Sequence, residues 1–172
     1  MRALFVRRNK RTSPSEFVLY RNKKLGFSFE HLKGWNKKSN HVLTVYPPDA
    51  IMVSGSNQTI ASPCITMLVS SGEIIETPSQ FYRSFLIEQR KRYTEYRLLW
   101  DRPARLVSGE PAYEWSFEFD VSTARFIAVY CIATKNIRSK NLTLLLNGAC
   151  LKSQFEELEP TFLKVVRSLS FS

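Results

Sequence analysis

Between Tyr113 and Val121 every second side chain is large and apolar (Tyr113, Trp115, Phe117, Phe119, Val121), with Glu114, Ser116, Glu118 and Asp120 between them. Successive side chains of a strand point to opposite faces, so the pattern makes a half-buried antiparallel strand, aromatic on one face and polar on the other. Such a strand needs a partner strand and a layer to cover its rings. Ser122-Thr123 supply a tight return into residues 126–133, which are apolar on both faces and so belong at the centre of a sheet.

The covering layers come from two amphipathic segments. Thr77 can cap a helix, Pro78 suits its first position and Gln80 closes a capping box. Phe81, Tyr82, Phe85, Leu86 and Gln89 then fall at helical spacing, which predicts a helix over residues 78–92. Its last turn, Arg90-Lys91-Arg92, suits the negative end of the helix dipole. Leu151, Phe155, Leu158, Phe162, Val165, Val166 and Leu169 predict a second helix over about residues 153–168, with Ser153 and Glu156 as a capping box. Pro160 inside it is expected to kink or restart the helix, because it lacks a backbone donor.

Shorter strands are predicted at residues 17–21, 27–31, 41–46, 63–70, 96–100, 104–107 and 142–146, the last stopped by Asn147-Gly148; residues 55–59 read as a loop. The expectation is an α+β fold: an antiparallel β-sheet of about six or more strands flanked by two main helices. Residues 1–15 read as a basic flexible arm and residues 16–172 as one domain, a length that buries a substantial core.

Three segments carry a resemblance. They are Tyr20 with Gly26-Phe27-Ser28-Phe29 and Gly34-Trp35, the turn Gly109-Glu110-Pro111-Ala112, and the ending Ser168-Leu169-Ser170-Phe171. In this order they resemble the PsbP/Mog-type family, which includes extrinsic photosystem PsbP, Ran-binding Mog and DcrB-like proteins. The likeness spans residues 16–172 and departs from the family pattern at Leu32, where a proline is usual. It implies a sheet sandwiched by helices and a docking module more often than an enzyme. It brings no catalytic motif.

The residues themselves show no phosphate-binding glycine loop, zinc-protease helix or nucleophile elbow. His31 and His41 lie on or beside early strands and read as core or surface histidines, Cys64, Cys131 and Cys150 fit no zinc spacing and read as buried thiols, and no metal or cofactor is expected. A thiol–imidazole pair of Cys64 or Cys131 with His41 would have to be assembled by the fold. Glu114, Glu118 and Asp120 read as a solvated sheet face pairing with Arg125.

Charge is the stronger functional signal. Twenty-five Lys and Arg against fifteen Asp and Glu give a net charge of +10, which favours anionic partners. The expected function is a non-catalytic binding or assembly module that docks on an acidic protein or complex. The expected contact residues are Lys33, Trp35, Lys37, Lys38, Arg90, Lys91, Arg92, Arg97, Arg102 and Arg105. Trp35 and Trp100 read as candidate exposed rings in a cationic setting. One alternative is a nucleic-acid-binding protein using the same surface. Another is an enzyme or small-ligand binder in the sheet–helix cleft, which would need convergent polar groups. The arm could also touch an anionic membrane. No run reads as a signal peptide or transmembrane segment, so a cytoplasmic or organelle-soluble location is expected; a monomer is expected as well.

Overall fold

The computed structural model describes residues 16–39, 42–55, 59–72, 76–93, 95–137 and 140–171. The chain runs β1 (Phe17–Asn22), β2 (Phe27–Leu32), β3 (Asn36–Ser39), β4 (Leu43–Tyr46), β5 (Ile51–Ser54), β6 (Thr59–Ser62), β7 (Cys64–Gly72) and α1 (Pro78–Arg92). It continues through β8 (Arg97–Arg105), β9 (Pro111–Val121), β10 (Ala124–Ile137), β11 (Lys140–Leu151), a 3-10 turn (Lys152–Gln154), α2 (Phe155–Arg167) and β12 (Ser170–Phe171). A seven-stranded sheet has the order β3-β4-β7-β11-β10-β9-β8; β1-β2-β12 and β5-β6 form two smaller sheets. Every pairing is antiparallel. The fold is the expected α+β sandwich, with one helix on each face.

The aromatic strand is β9, and its rings build the α1 face. Tyr82 stacks on Tyr113 at 4.5 Å, Phe85 meets Trp115 edge-on at 5.4 Å, and Trp115 stacks on Tyr130 of β10 at 5.1 Å. Trp115 and Phe117 are completely buried. Each such ring hides about 150–250 Å² and contributes a gross transfer of about 4–6 kcal/mol. The return to β10 is a two-residue hairpin in which Ser122 takes φ 57°, the positive φ that the first position of such turns requires.

Helix α1 begins as the sequence dictates. The Thr77 amide donates to Gln80 Oε1 at 2.8 Å and the Gln80 amide donates to Thr77 Oγ1 at 3.3 Å, so two otherwise orphaned donors are satisfied.

On the opposite face, Phe162, Val165 and Val166 of α2 are buried with Val129, Cys131, Leu144 and Leu146. The small sheet closes the same core with Phe27, Phe29 and Phe171. Gly34, at φ 79°, makes the turn that swings Trp35 back against this cluster.

Four local expectations are corrected. Asn147-Gly148 does not end a strand, since β11 runs on to Leu151. Gly148 is needed there for approach, because a Cβ on it would lie 2.3 Å from Cδ1 of Phe162. Residues 96–100 and 104–107 belong to one strand, β8; Pro103 is tolerated because β8 is an edge strand. Ser153 and Glu156 form no capping box: residues 152–154 are a 3-10 turn, and α2 starts without a side-chain cap. Of the two outcomes expected at Pro160, a restart is excluded, because α2 is continuous from Phe155 to Arg167. The hairpin of β5 and β6 was not anticipated. The basic arm, His41 and residues 56–58 lie outside the described residues.

Candidate functional site

Seven of the predicted contact residues fall at two opposite edges of the large sheet and three on the end of α1. Lys33 and Trp35 sit in the approach to β3, and Lys37 and Lys38 lie on β3, one edge strand. Arg97, Arg102 and Arg105 lie on β8, the other edge, and Arg90, Lys91 and Arg92 form the last turn of α1 just before it. Seven strands at ~4.8 Å spacing put about 30 Å between the two edges. The fold therefore separates the β3 residues from the β8 residues, and it places Arg92 of α1 beside Thr44, Thr66 and Asn147 rather than at the β8 edge.

Several of the cations are already engaged. Glu114 and Glu118 are buried, at 4% and 5% exposure, which corrects the reading of a solvated acidic face. Arg102 donates to Glu114 through two nitrogens (2.7 and 3.0 Å), and Arg167 of α2 reaches the other oxygen at 3.3 Å. Glu118 takes Arg97, Arg125 and Lys152 at 3.1–3.2 Å, and Arg125 also grips Asp120 at 2.8 Å. Burial pushes the Glu118 carboxyl up, but the Lys152 hydrogen bond and the three cations outweigh it and hold the group below its ordinary value. Asp120 is lowered chiefly by its Arg125 hydrogen bond. Lys33 pairs with Glu16 at 2.7 Å and Lys91 with Glu88 at 2.9 Å, both in solvent. Surface pairs of this kind are worth little. Lys37 lies over the Tyr20 ring, Arg90 over Tyr96, and Arg105 donates to the Gly109 carbonyl.

The two tryptophans are not exposed platforms. Both are half-buried against the α2-side core, and the Arg102 guanidinium lies 4.9 Å from the Trp100 ring. The thiols are unsuited to nucleophilic work, since burial pushes Cys64, Cys131 and Cys150 each up to about 12 and the thiolate is the reactive form. Burial lowers His31, whose Nδ1 lies 2.9 Å from the Leu32 carbonyl oxygen. Among the described residues no three metal-ligating side chains cluster.

A hollow lies on the α1 face, where the helix stops short of the far half of the sheet. Its floor is a row in register across four strands: Thr44 of β4, Thr66 of β7, Asn147 of β11 and Tyr130 of β10. Phe85, Gln89 and Arg92 of α1 form one wall and Ile60 and Ala61 of β6 another, enclosing about 240 Å³. A second, shallower hollow of about 610 Å³ shares Thr44, Thr59 and Ala61 and ends at Lys38. The two hollows thus place Arg92 of α1 and Lys38 of β3 on one shared depression. Sequence reasoning named Gln89 only as a helix-core position and Asn147 only as a turn residue. The cross-strand register that makes them neighbours is the missing signal.

The layer order, the all-antiparallel sheet and the flanking helices define an α+β sandwich. No family model and no curated protein matches the sequence. Solved structures do. LpqN of Mycobacterium tuberculosis, described as involved in cell envelope biogenesis, aligns with TM-score 0.62 at 12% identity over 93% of this chain and 86% of its own. Cyanobacterial PsbP (CyanoP) of Synechocystis sp. PCC 6803 aligns with TM-score 0.58 at 12% identity over 93% and 95%. The Ran-binding protein Mog1p of Saccharomyces cerevisiae aligns with TM-score 0.54 at 6% identity over 92% and 96%. The chain has the PsbP/Mog-type fold.

Proposed function

We propose that this chain is a binding or assembly module, without catalysis of its own, that docks on an acidic protein surface through its cationic edges. The observation that carries the reading is how the charge is distributed. The chain has a net charge of +10, while its buried carboxylates Glu114 and Glu118 are turned inward and clamped by Arg and Lys. With Arg97, Arg102, Lys33 and Lys91 paired to carboxylates, the cations that support the reading are Lys37 and Lys38 on β3 and Arg90 and Arg105 toward β8, and such a surface favours fast, salt-sensitive association. Solved proteins of this fold include one named for binding Ran, which supports protein docking as the kind of work the fold does. Buried, protonated thiols and a buried histidine support the absence of catalysis. No helix among the described residues is long and apolar enough to cross a membrane.

The test is affinity capture from the native host at about 50 mM salt with and without nuclease, eluted by a step to about 500 mM. Wild type is compared with K37E/K38E and with R90E/R105E. Retention of one defined protein despite nuclease, released by salt and lost with one of the two charge reversals, is the expected result. Retention of nucleic acid that vanishes with nuclease replaces this reading with the nucleic-acid one. Unchanged retention in both variants defeats the use of these edges.

A further inference from the structure

On the α2 face two arginines hold one buried carboxylate. Arg102 of β8 donates to Oε2 of Glu114 through Nε and Nη2, while Arg167, at the end of α2, donates to Oε1 through Nε alone. A guanidinium carries five N–H donors in a planar fork. Among the described residues, Nη1 and Nη2 of Arg167 and Nη1 of Arg102 take no partner. Both arginine side chains stay about half exposed, with Glu114 buried beneath them. Neither guanidinium has a second described carboxylate within ion-pair distance, and Glu110, the next acid along this face of β9, is taken by Lys135 at 2.8 Å. The pair therefore carries one positive charge more than its counterion, and that charge lies on the solvent side.

Stability does not call for this arrangement. One well-placed arginine satisfies a buried carboxylate, and even that pair adds little net stability over an apolar replacement. What the second arginine adds is a guanidinium anchored by its Nε with its Nη fork left open. Anchoring also removes much of the side-chain entropy that a loose arginine loses on binding. The Arg102 guanidinium is further held over the Trp100 ring, 4.9 Å away.

We propose that Arg102 and Arg167 take a carboxylate of the docking partner, an aspartate or glutamate side chain set bidentately on the open fork of Arg167. This rests on the docking reading and adds a specific contact to it. Charge selects the ligand, because one incoming carboxylate brings the two arginines and Glu114 to neutrality. Shape agrees, since the planar fork matches a carboxylate in a way that an ammonium cannot. A second copy of this chain, also at +10, is disfavoured as the occupant by like charge.

The probe is acetyl-hexaglutamate amide, titrated to about 5 mM into uniformly 15N-labelled protein at about 50 mM salt, with the Nε–H signals of Arg102 and Arg167 as the readout. The expected result is a saturable shift of both signals at a Kd of the order of 1 mM. Arg167→Lys keeps the charge and removes the fork, and should weaken binding at least about fivefold. Arg102→Lys gives the same reading from the strand side should the helix variant fold poorly. Lys24→Gln removes an exposed cation from the β1–β2 turn and should change the Kd by less than about twofold. Attraction by net charge alone predicts the reverse order. Unmoved Nε signals, undiminished binding by the folded lysine variants, or an equal loss in Lys24→Gln overturns the proposal. Affinity capture reads the edges and the titration reads this pair, so a failed titration beside a successful capture overturns the contact and leaves the docking reading intact.

Discussion

Gly148→Ala is the sharpest single test of how the two layers meet. Gly148 sits inside β11, where its φ is an ordinary one that alanine adopts freely, so backbone strain does not enter. In an open strand, exchanging Gly for Ala stabilises by about 0.4–1 kcal/mol through the unfolded chain. Here the new Cβ would lie 2.3 Å from Cδ1, 2.5 Å from Cγ and 3.0 Å from Cβ of Phe162. Restoring ordinary contact at about 3.4 Å moves the ring by roughly 1 Å. Phe162 is completely buried beside Val165 and Val166, so the ring can move only by carrying α2 with it. Overpacking of this kind costs about 1–3 kcal/mol, leaving a net destabilisation of about 1–2 kcal/mol and a Tm lower by about 2–8 °C. Urea and thermal melts of wild type, G148A, F162L and the double variant close a mutant cycle. A smaller side chain at position 162 should absorb the added methyl, so G148A becomes neutral or stabilising on the F162L background. A G148A protein as stable as wild type, or one whose cost is the same on both backgrounds, would refute the steric account.

Glu118→Gln leaves Arg97, Arg125 and Lys152 facing one another. It should cost about 1–2 kcal/mol, less than a fully buried pair because the three cations are about half exposed. Glu118 is held below its ordinary value, so its stabilisation is fully present above the unfolded carboxyl pKa of about 4.3 and is lost as pH falls through the lower folded value. Urea midpoints of wild type should therefore fall more steeply below pH 4 than those of E118Q, and parallel pH profiles would contradict the assignment. Thr77→Ala opens the capping box of α1 and should cost about 1 kcal/mol, read by thermal melting. Cys64, Cys131 and Cys150 should resist a disulfide reagent in the native state and react together on unfolding, since all are buried and pushed up to about 12; fast labelling of the folded protein would contradict their burial.

Where local chemistry decides the structure, the sequence was readable. The Thr77-Pro78-Gln80 start and the alternation of β9 are each determined by their own residues and neighbours in the chain. The misreadings arise where distant contacts overrule local signals. Asn-Gly is a strong hairpin dipeptide, yet at Asn147-Gly148 the glycine accommodates a ring from a helix closer to the C-terminus. Pro103 looks like a strand breaker until β8 is known to be an edge. The acids of β9 look solvated until β8, β10 and α2 bring arginines, and the 3-10 turn a lysine, over them. The placement of the basic groups on two edges was equally hidden, because it depends on the order β3-β4-β7-β11-β10-β9-β8, which periodicity does not encode.

The two faces of the large sheet are finished differently, and that difference bears on what the fold can do. On the α2 face the helix presses a phenylalanine onto a glycine, the small sheet seals the margin, and the acids of β9 are neutralised by five cations from neighbouring elements. On the α1 face the aromatic half of the sheet is tightly stacked, but the polar half, from Thr44 to Asn147, is left beneath a helix end with two amides turned toward it. The rigid face thus holds the fold together, while the polar half of the α1 face stays open as a hollow between the helix end and β6.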